Sequence, residues 1–453
     1  MLGIRKKPFQ GKSKRVLVTI DKFCLEGEEV AGALAAVESK NCDCGDGSIK
    51  NGLGITMFKL NGKNVPVNFT GNIHGLYYVD GRGGIDELQG ARMFYCVPKD
   101  EKAYLYDETS KTFAYQFDLS KGSRYCMAAN ALNEWYAIFT SKNGYYVVNP
   151  PYFAENTVEG VTNAICFYKG RTFLGQRPRR LMYSGVDEPW FFTETLNDSG
   201  VIALGEDVGD IVALIPFHDR VYVFMDYGVT ELEVAGSPLD FKIKPLDYSG
   251  GKIFGASVGV CNNHIMFLTE NGVVRFNGNR FEKVAKNLRI SPKEDTQVCG
   301  YAVCGDNYIV RYQALSAEKR TAVVRSDGKG YFITDCEGLT QSGGKALCVV
   351  NGYAYEIVSN GYLVGTERYY FKSRKTNFGI NKKKVVRSFR LEGEGNYTLY
   401  VYCDGVWRHS TVAFEDGVAV IPVHRQGKEF AFEFQLEQGA VIRKITAEIV
   451  TTA

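Results

Sequence analysis

Apolar residues along this chain come in short runs, and polar two-residue turns separate them. Between residues 164 and 174 an apolar run (Ala164–Tyr168) meets Lys169-Gly170 and then a second run (Arg171–Leu174). The same unit recurs at His218-Asp219, Asn262-Asn263, Gly305-Asp306 and Asn351-Gly352, with weaker copies at Asp100-Glu101 and Leu132-Asn133. Short runs bounded by Gly, Asn and Asp predict strands joined by tight hairpins, whose turns need positive φ. The last four intervals are 49, 44, 43 and 46 residues, close to the roughly 40–50 residues of one propeller blade.

A second turn follows the first. Gly228, Gly272 and Gly361 each open another apolar run ten residues after the first turn residue, Gly144 opens one after twelve, and Gly330 after a longer insert. Each period therefore holds three to four strands. One such sheet cannot cover both its faces, whereas radial stacking buries each face on the next sheet and leaves only short edges. The expectation is an all-β chain with a β-propeller of six or seven blades over residues 71–375.

The ends read differently. Residues 1–70 form an N-terminal arm and opening strands, with seven Lys/Arg in the first 22 residues, a brief helix over Glu28–Ser39 and a turn-rich stretch at Asn41–Ile49. From 376 to 453 the alternation is regular. It predicts strands at Val385–Glu392, Tyr397–Cys403, Val406–Phe414, Val418–Val423, Phe430–Leu436 and Val441–Val450, a small C-terminal β-sandwich.

Composition sharpens this picture without naming a partner. There are 28 Tyr, 28 Phe and 49 Gly against 5 His and 12 Pro, a mixture suited to pleated surfaces and tight turns. A net charge of +3 implies no partner. The twelve cysteines are scattered among apolar residues and read as small buried hydrophobes in a reducing compartment; the opening residues show no signal-peptide pattern and no apolar run reaches membrane length. The most lopsided charge lies between Arg368 and Arg390, nine cations with no acid, including Arg374, Lys375, Lys382, Lys383 and Lys384. It reads as a solvated connector, or as a contact with a neighbouring subunit or DNA phosphate.

No catalytic set emerges. The five His lack metal-ligand spacing, the pairs Cys42/Cys44 and Cys299/Cys304 supply too few ligands for zinc, and Asp43 and Asp46 miss the calcium-loop pattern. Gly81–Gly84 and Ser249–Lys252 lack phosphate-loop spacing. Asp187 and Glu188 sit beside Trp190, Phe191 and Phe192, a combination open to sugar recognition or to glycoside hydrolysis, though a structural turn is the favoured reading. The chain is expected to hold no metal and no cofactor.

That last segment carries a resemblance. Arg179–Phe191, with Tyr183-Ser184 followed by Asp187-Glu188-Pro189-Trp190, resembles a stretch in tail proteins of bacteriophages, and Ile211–Glu233 resembles their next blade. Asn41-Cys42 followed by Gly47–Gly54 resembles their opening motif, although Leu53 stands where an Arg is often found, and Thr376–Gly379 with Lys382–Lys384 resembles the start of their C-terminal β domain. The family is that of the propeller-containing tail nozzle, or packaged-DNA-stabilisation, proteins of short-tailed phages.

The resemblance implies a non-enzymatic virion protein assembled in the host cytoplasm. It would form a homo-oligomeric, typically hexameric, ring around the DNA exit channel below portal and adaptor. Arg374, Lys375 and Lys382–Lys384 would meet a neighbouring subunit or, transiently and non-specifically, DNA; no small-molecule substrate is implied. Two alternatives remain: a carbohydrate- or receptor-binding adhesin using Asp187, Glu188 and Trp190 with Tyr145 and Tyr146, and a glycoside hydrolase.

Overall fold

Positive φ marks the corners that the sequence pattern picks out. Lys169 (48°), His218 (54°), Asn262 (52°), Gly305 (55°) and Asn351 (48°) all lie in the left-handed region. Each closes a hairpin, the first between Thr162–Tyr168 and Arg171–Gln176, the last between Lys345–Val350 and Tyr353–Val358. The computed structural model describes residues 13–28, 31–69, 73–80, 92–98, 101–119, 124–149, 152–158, 160–192, 198–205, 208–293, 300–364 and 367–452. Gly81–Gly84 and Cys299 lie outside the described residues.

The chain divides into two units. One takes residues 55–330 and 335–361; the other takes residues up to 54, 331–334 and 362–453. Regular structure among the described residues is β-strand apart from short 3-10 turns.

Seven four-stranded antiparallel sheets stand in a propeller-like arrangement, all within the larger unit except Gly54 and most of the last strand of the sixth, Gly330–Ile333. Six are simple meanders that begin, in chain order, at Ile73, Tyr125, Thr162, Ile211, Gly259 and Gly300. The seventh begins at Glu337 and differs: its fourth strand is Gly54–Met57, from far upstream. Gly361 therefore opens no strand in this sheet, contrary to the expectation, because the edge of Tyr353–Val358 is already taken by Gly54–Met57.

Consecutive sheets bury their faces on one another, largely through aromatic side chains. Phe117 stacks on Tyr146 between sheets one and two (ring centroids 4.6 Å), and Phe224 meets Phe267 edge-on between sheets four and five (5.2 Å). Sheet seven returns to sheet one. Leu76 N–H donates to Thr340 Oγ1 (3.2 Å) and Tyr78 N–H to Ser342 Oγ (2.7 Å), while Tyr125 Oη of sheet two shares a hydrogen bond with Ser342 Oγ (2.6 Å). Phe58, Leu60, Val65 and Val67 fill the core between sheets seven and one together with Tyr78, Leu347 and Val349.

Contacts also reach across sheets. Arg124, just ahead of the first strand of sheet two, donates from Nη2 to the Gly255 carbonyl (2.5 Å) and lies over the Tyr301 ring of sheet six (5.7 Å). Tyr308 Oη donates to the Ser257 carbonyl (2.6 Å).

The smaller unit holds two six-stranded sheets. One pairs Ser13–Ile20 and Ile49–Asn51 with Val441–Thr452, which continues to Lys384–Glu394 and Val418–Gly427. The other joins Leu34–Lys40 to Tyr369–Ser373, Phe430–Leu436, Asn396–Cys403 and Val406–Ala413. Phe389 of the first packs on Phe432 of the second (4.9 Å), so their apolar faces meet.

Two expectations are corrected here. The helix expected over Glu28–Ser39 is instead the strand Leu34–Lys40, because pairing with Tyr369–Ser373 outweighs weak local propensity. The division also differs from boundaries at 70/71 and 375/376. The N-terminal strands fold with the C-terminal ones, residues 55–70 go with the seven sheets, and residues 362–375 with the smaller unit.

Candidate functional site

The Asp187–Phe192 segment is a tight turn after the strand Arg180–Tyr183. Asp187 takes φ 61° and its N–H donates to the Gly170 carbonyl (3.0 Å), tying this turn to the neighbouring hairpin. Phe191 N–H donates to the Glu188 carbonyl (3.1 Å). The aromatics turn inward: Trp190 is half-buried against Tyr136 (4.5 Å), its carbonyl accepts from Tyr145 Oη (2.7 Å), and Phe192 packs edge-on against Tyr145 (5.1 Å). Asp187 is exposed and Glu188 half-buried. Tyr145 and Tyr146 are not the exposed stacking platform that a sugar-binding reading requires. Successive side chains of a strand point to opposite faces, and here both faces are covered, leaving them 4% and 6% exposed.

The basic segment splits by role. Arg374, Lys375, Lys382 and Lys383 are exposed, and Lys375 pairs with Glu429 (3.4 Å). Lys384 is different. Its ammonium is buried, donates to the carbonyls of Ile380 (2.9 Å), Lys382 (3.4 Å) and Lys428 (2.7 Å), and lies over the Phe430 ring. Burial lowers its pKa from the ordinary lysine value. Lys384 is thus an internal tie of the smaller unit, and the other four of these five cations are at its surface.

Elsewhere polar groups satisfy one another. Asp46 accepts from Ser48 N–H (3.0 Å), Ser48 Oγ (2.6 Å) and Lys50 Nζ (3.0 Å). Burial opposes its ionisation, but these bonds outweigh it and hold the carboxyl below the usual range. His218 (φ 54°) sits in a hairpin turn, and His264 follows another, where burial lowers its pKa. Among the described residues no three His, Cys, Asp or Glu side chains group as metal ligands, and ten cysteines are free thiols, seven of them buried.

A feature that the sequence reading passed over lies on sheet five. Its outer strand, Phe281–Val284, runs between two clefts of about 410 and 520 Å³. Lys283 lines both; Lys286 and Arg289 line the first, Arg280, Tyr248 and Phe281 the second. The signal was present in the chain: residues 275–293 hold six cations and one acid, Glu282. It was obscured because the cations alternate with apolar residues and look like ordinary strand polarity.

No family model and no curated protein matches this chain. Solved structures that resemble it include BBS1N in complex with ARL6DN, with 13% identity over 58% of this chain and 74% of that one, at a TM-score of 0.32. The computationally designed Ika8 protein matches at 11% identity over 75% of this chain and 99% of its own, with a TM-score of 0.39. Raptor from Chaetomium thermophilum matches at 9% identity over 69% of this chain and 30% of its own, with a TM-score of 0.44.

Proposed function

We propose that this chain is a structural subunit of a bacteriophage tail or neck. In this reading the seven sheets are the blades of a seven-bladed β-propeller and the two six-stranded sheets form a β-sandwich. Several copies close into a ring, of six subunits in the family it resembles, around the path by which packaged DNA leaves below portal and adaptor. The chain's part is mechanical: it holds shape and contacts neighbours, and no catalytic step is assigned to it.

One observation carries the reading. The opening motif (Asn41-Cys42, Gly47–Gly54) and the C-terminal motif (Thr376–Gly379, Lys382–Lys384), far apart in the chain, fold into one β unit, while Arg179–Phe191 and Ile211–Glu233 fall on sheets three and four of the other. The four resemblances thus sort two to each unit, and this grouping supports the reading. Arg374, Lys375, Lys382 and Lys383 are the proposed contact with a neighbouring subunit or passing DNA. The inward-facing aromatics around Trp190 give the adhesin reading no support.

Mass spectrometry of purified virions, with negative-stain microscopy of isolated tails, tests this. The expected result is a stoichiometric band and a ring at the tail vertex. Absence of the chain from virions would overturn the proposal.

A further inference from the structure

We infer that the two clefts flanking Phe281–Val284 on sheet five form a binding surface for single-stranded nucleic acid. The inference stands independently of a role in a phage tail.

Charge supplies the first argument. Arg280, Lys283, Lys286 and Arg289 are exposed, and none forms an ion pair among the described residues. Glu282, which lines the second cleft, pairs with Arg275 Nη2 (2.7 Å) and also feels the charges of Arg280 and Lys286; Asp247 in that cleft and Glu270 in the other are the remaining carboxylates, so four cations face three acids, one of them already paired. Cations outside close ion pairs on a folded surface remain able to attract a mobile anion, and releasing counterions from a nucleic acid drives association.

Their layout says which anion. A single phosphate is gripped by side chains converging on one point. Here Lys283, Lys286 and Arg289 line one cleft and Arg280 and Lys283 the other, so positive charge runs on from one cleft into the next through Lys283. A line of positive charge fits a line of phosphates.

Aromatic rings decide between a nucleic acid and an acidic protein segment. Tyr248 and Phe281 line the same cleft as Arg280 and Lys283; both are half-buried, packed against the core between sheets four and five, and each keeps part of its surface exposed. They meet edge-on at 5.1 Å, Tyr248 is held by donating to the Gly251 carbonyl (2.7 Å), and Phe281 is stacked on Phe276 (4.3 Å). Rings fixed in this way beside a cationic track are a platform for unstacked bases, which a polypeptide of carboxylates would leave unused and a duplex would not present.

The test is fluorescence anisotropy of the full-length chain with a labelled oligothymidylate of about 20 nucleotides, a length that spans one such site. Affinity should fall between about 50 and 200 mM salt with a log–log slope near −3, as expected for about four neutralised phosphates on a single strand. Lys283→Gln/Lys286→Gln should weaken binding at least about fivefold and flatten the slope by about 1.4, while Lys59→Gln/Lys63→Gln, an equal loss of exposed charge on the same unit, changes neither. An abasic strand of equal length should bind at least about tenfold more weakly. No binding at the lowest salt, equal loss in both double variants, or equal affinity for the abasic strand or for a duplex would each overturn the inference.

Discussion

Arg311 and Asp335 form a two-pronged ion pair where sheet six passes to sheet seven, Nε to Oδ1 at 2.8 Å and Nη2 to Oδ2 at 2.7 Å. Arg311 is buried in the strand Asn307–Gln313, and Asp335 lies in the link between Gly330–Ile333 and Glu337–Ser342. Thr321 Oγ1 adds a third bond to Oδ1 (3.1 Å). The planar fork fixes the link in direction as well as position.

Removing the carboxylate should be costly because it strands a buried guanidinium. Asp335→Ala is expected to lower stability by about 3 kcal/mol in urea denaturation of the full chain. Burial opposes ionisation of Asp335, but the bonds from Arg311 and Thr321 and the Arg311 charge outweigh it and hold the carboxyl below its usual range. A depressed carboxyl stabilises the fold above the unfolded value near 3.9 and loses that contribution as pH falls through the lower folded value. The difference in Tm between the wild-type chain and Asp335→Asn should therefore be constant above about pH 5 and shrink below pH 4.

Lys384 should behave as a core residue despite its place in a basic run. Lys384→Met leaves the Ile380 and Lys428 carbonyls without their donor and should cost about 2 kcal/mol. Lys382→Ala and Lys383→Ala, at exposed positions, should stay within about 0.5 kcal/mol. Thermal shifts of the three variants separate these cases directly.

Trp190 offers a test between packing and recognition. Its ring is half-buried on Tyr136, so Trp190→Ala should destabilise the chain by about 2 kcal/mol, less than a fully buried Trp. Glycan binding by the wild-type chain, lost in Trp190→Ala at unchanged Tm, would contradict this.

Fragments should report where the larger unit ends. A chain of residues 53–361 keeps Gly54–Met57 and the core side chains Phe58, Leu60, Val65 and Val67; one of residues 71–375 loses them all. Each fully buried apolar side chain is worth roughly 1.5–3 kcal/mol, so losing four is comparable to the whole margin of a typical domain. The longer fragment should melt cooperatively in calorimetry, and the shorter should aggregate along the bared edge of Tyr353–Val358.

Much of this architecture was legible because hairpin chemistry is local. The C-terminal strand expected at Phe430–Leu436 is the strand observed, and the turn residues at 169, 218, 262, 305 and 351 take the backbone conformation that their type favours. Pairing between distant segments was not legible. Nothing near Gly54–Met57 signals that its partner is Tyr353–Val358, three hundred residues away. Asn41 shows the same limit. It is buried at φ 58°, its Oδ1 accepting from Thr334 N–H (2.7 Å) and its Nδ2 donating to the Arg368 carbonyl (3.0 Å). The sequence motif marked this residue, but its partners lie almost three hundred residues or more away. At the candidate sites, exposure decided roles: Lys384 and Lys383 are neighbours in sequence, and only the structure separates the buried one from the free one.

The reach of Arg124 to Gly255 and over Tyr301 bears on how the larger unit comes apart. A guanidinium that spans from the second sheet to the turn before the fifth and on to the sixth ties together sheets that are not consecutive in the chain, so these sheets are expected to come apart together rather than one at a time.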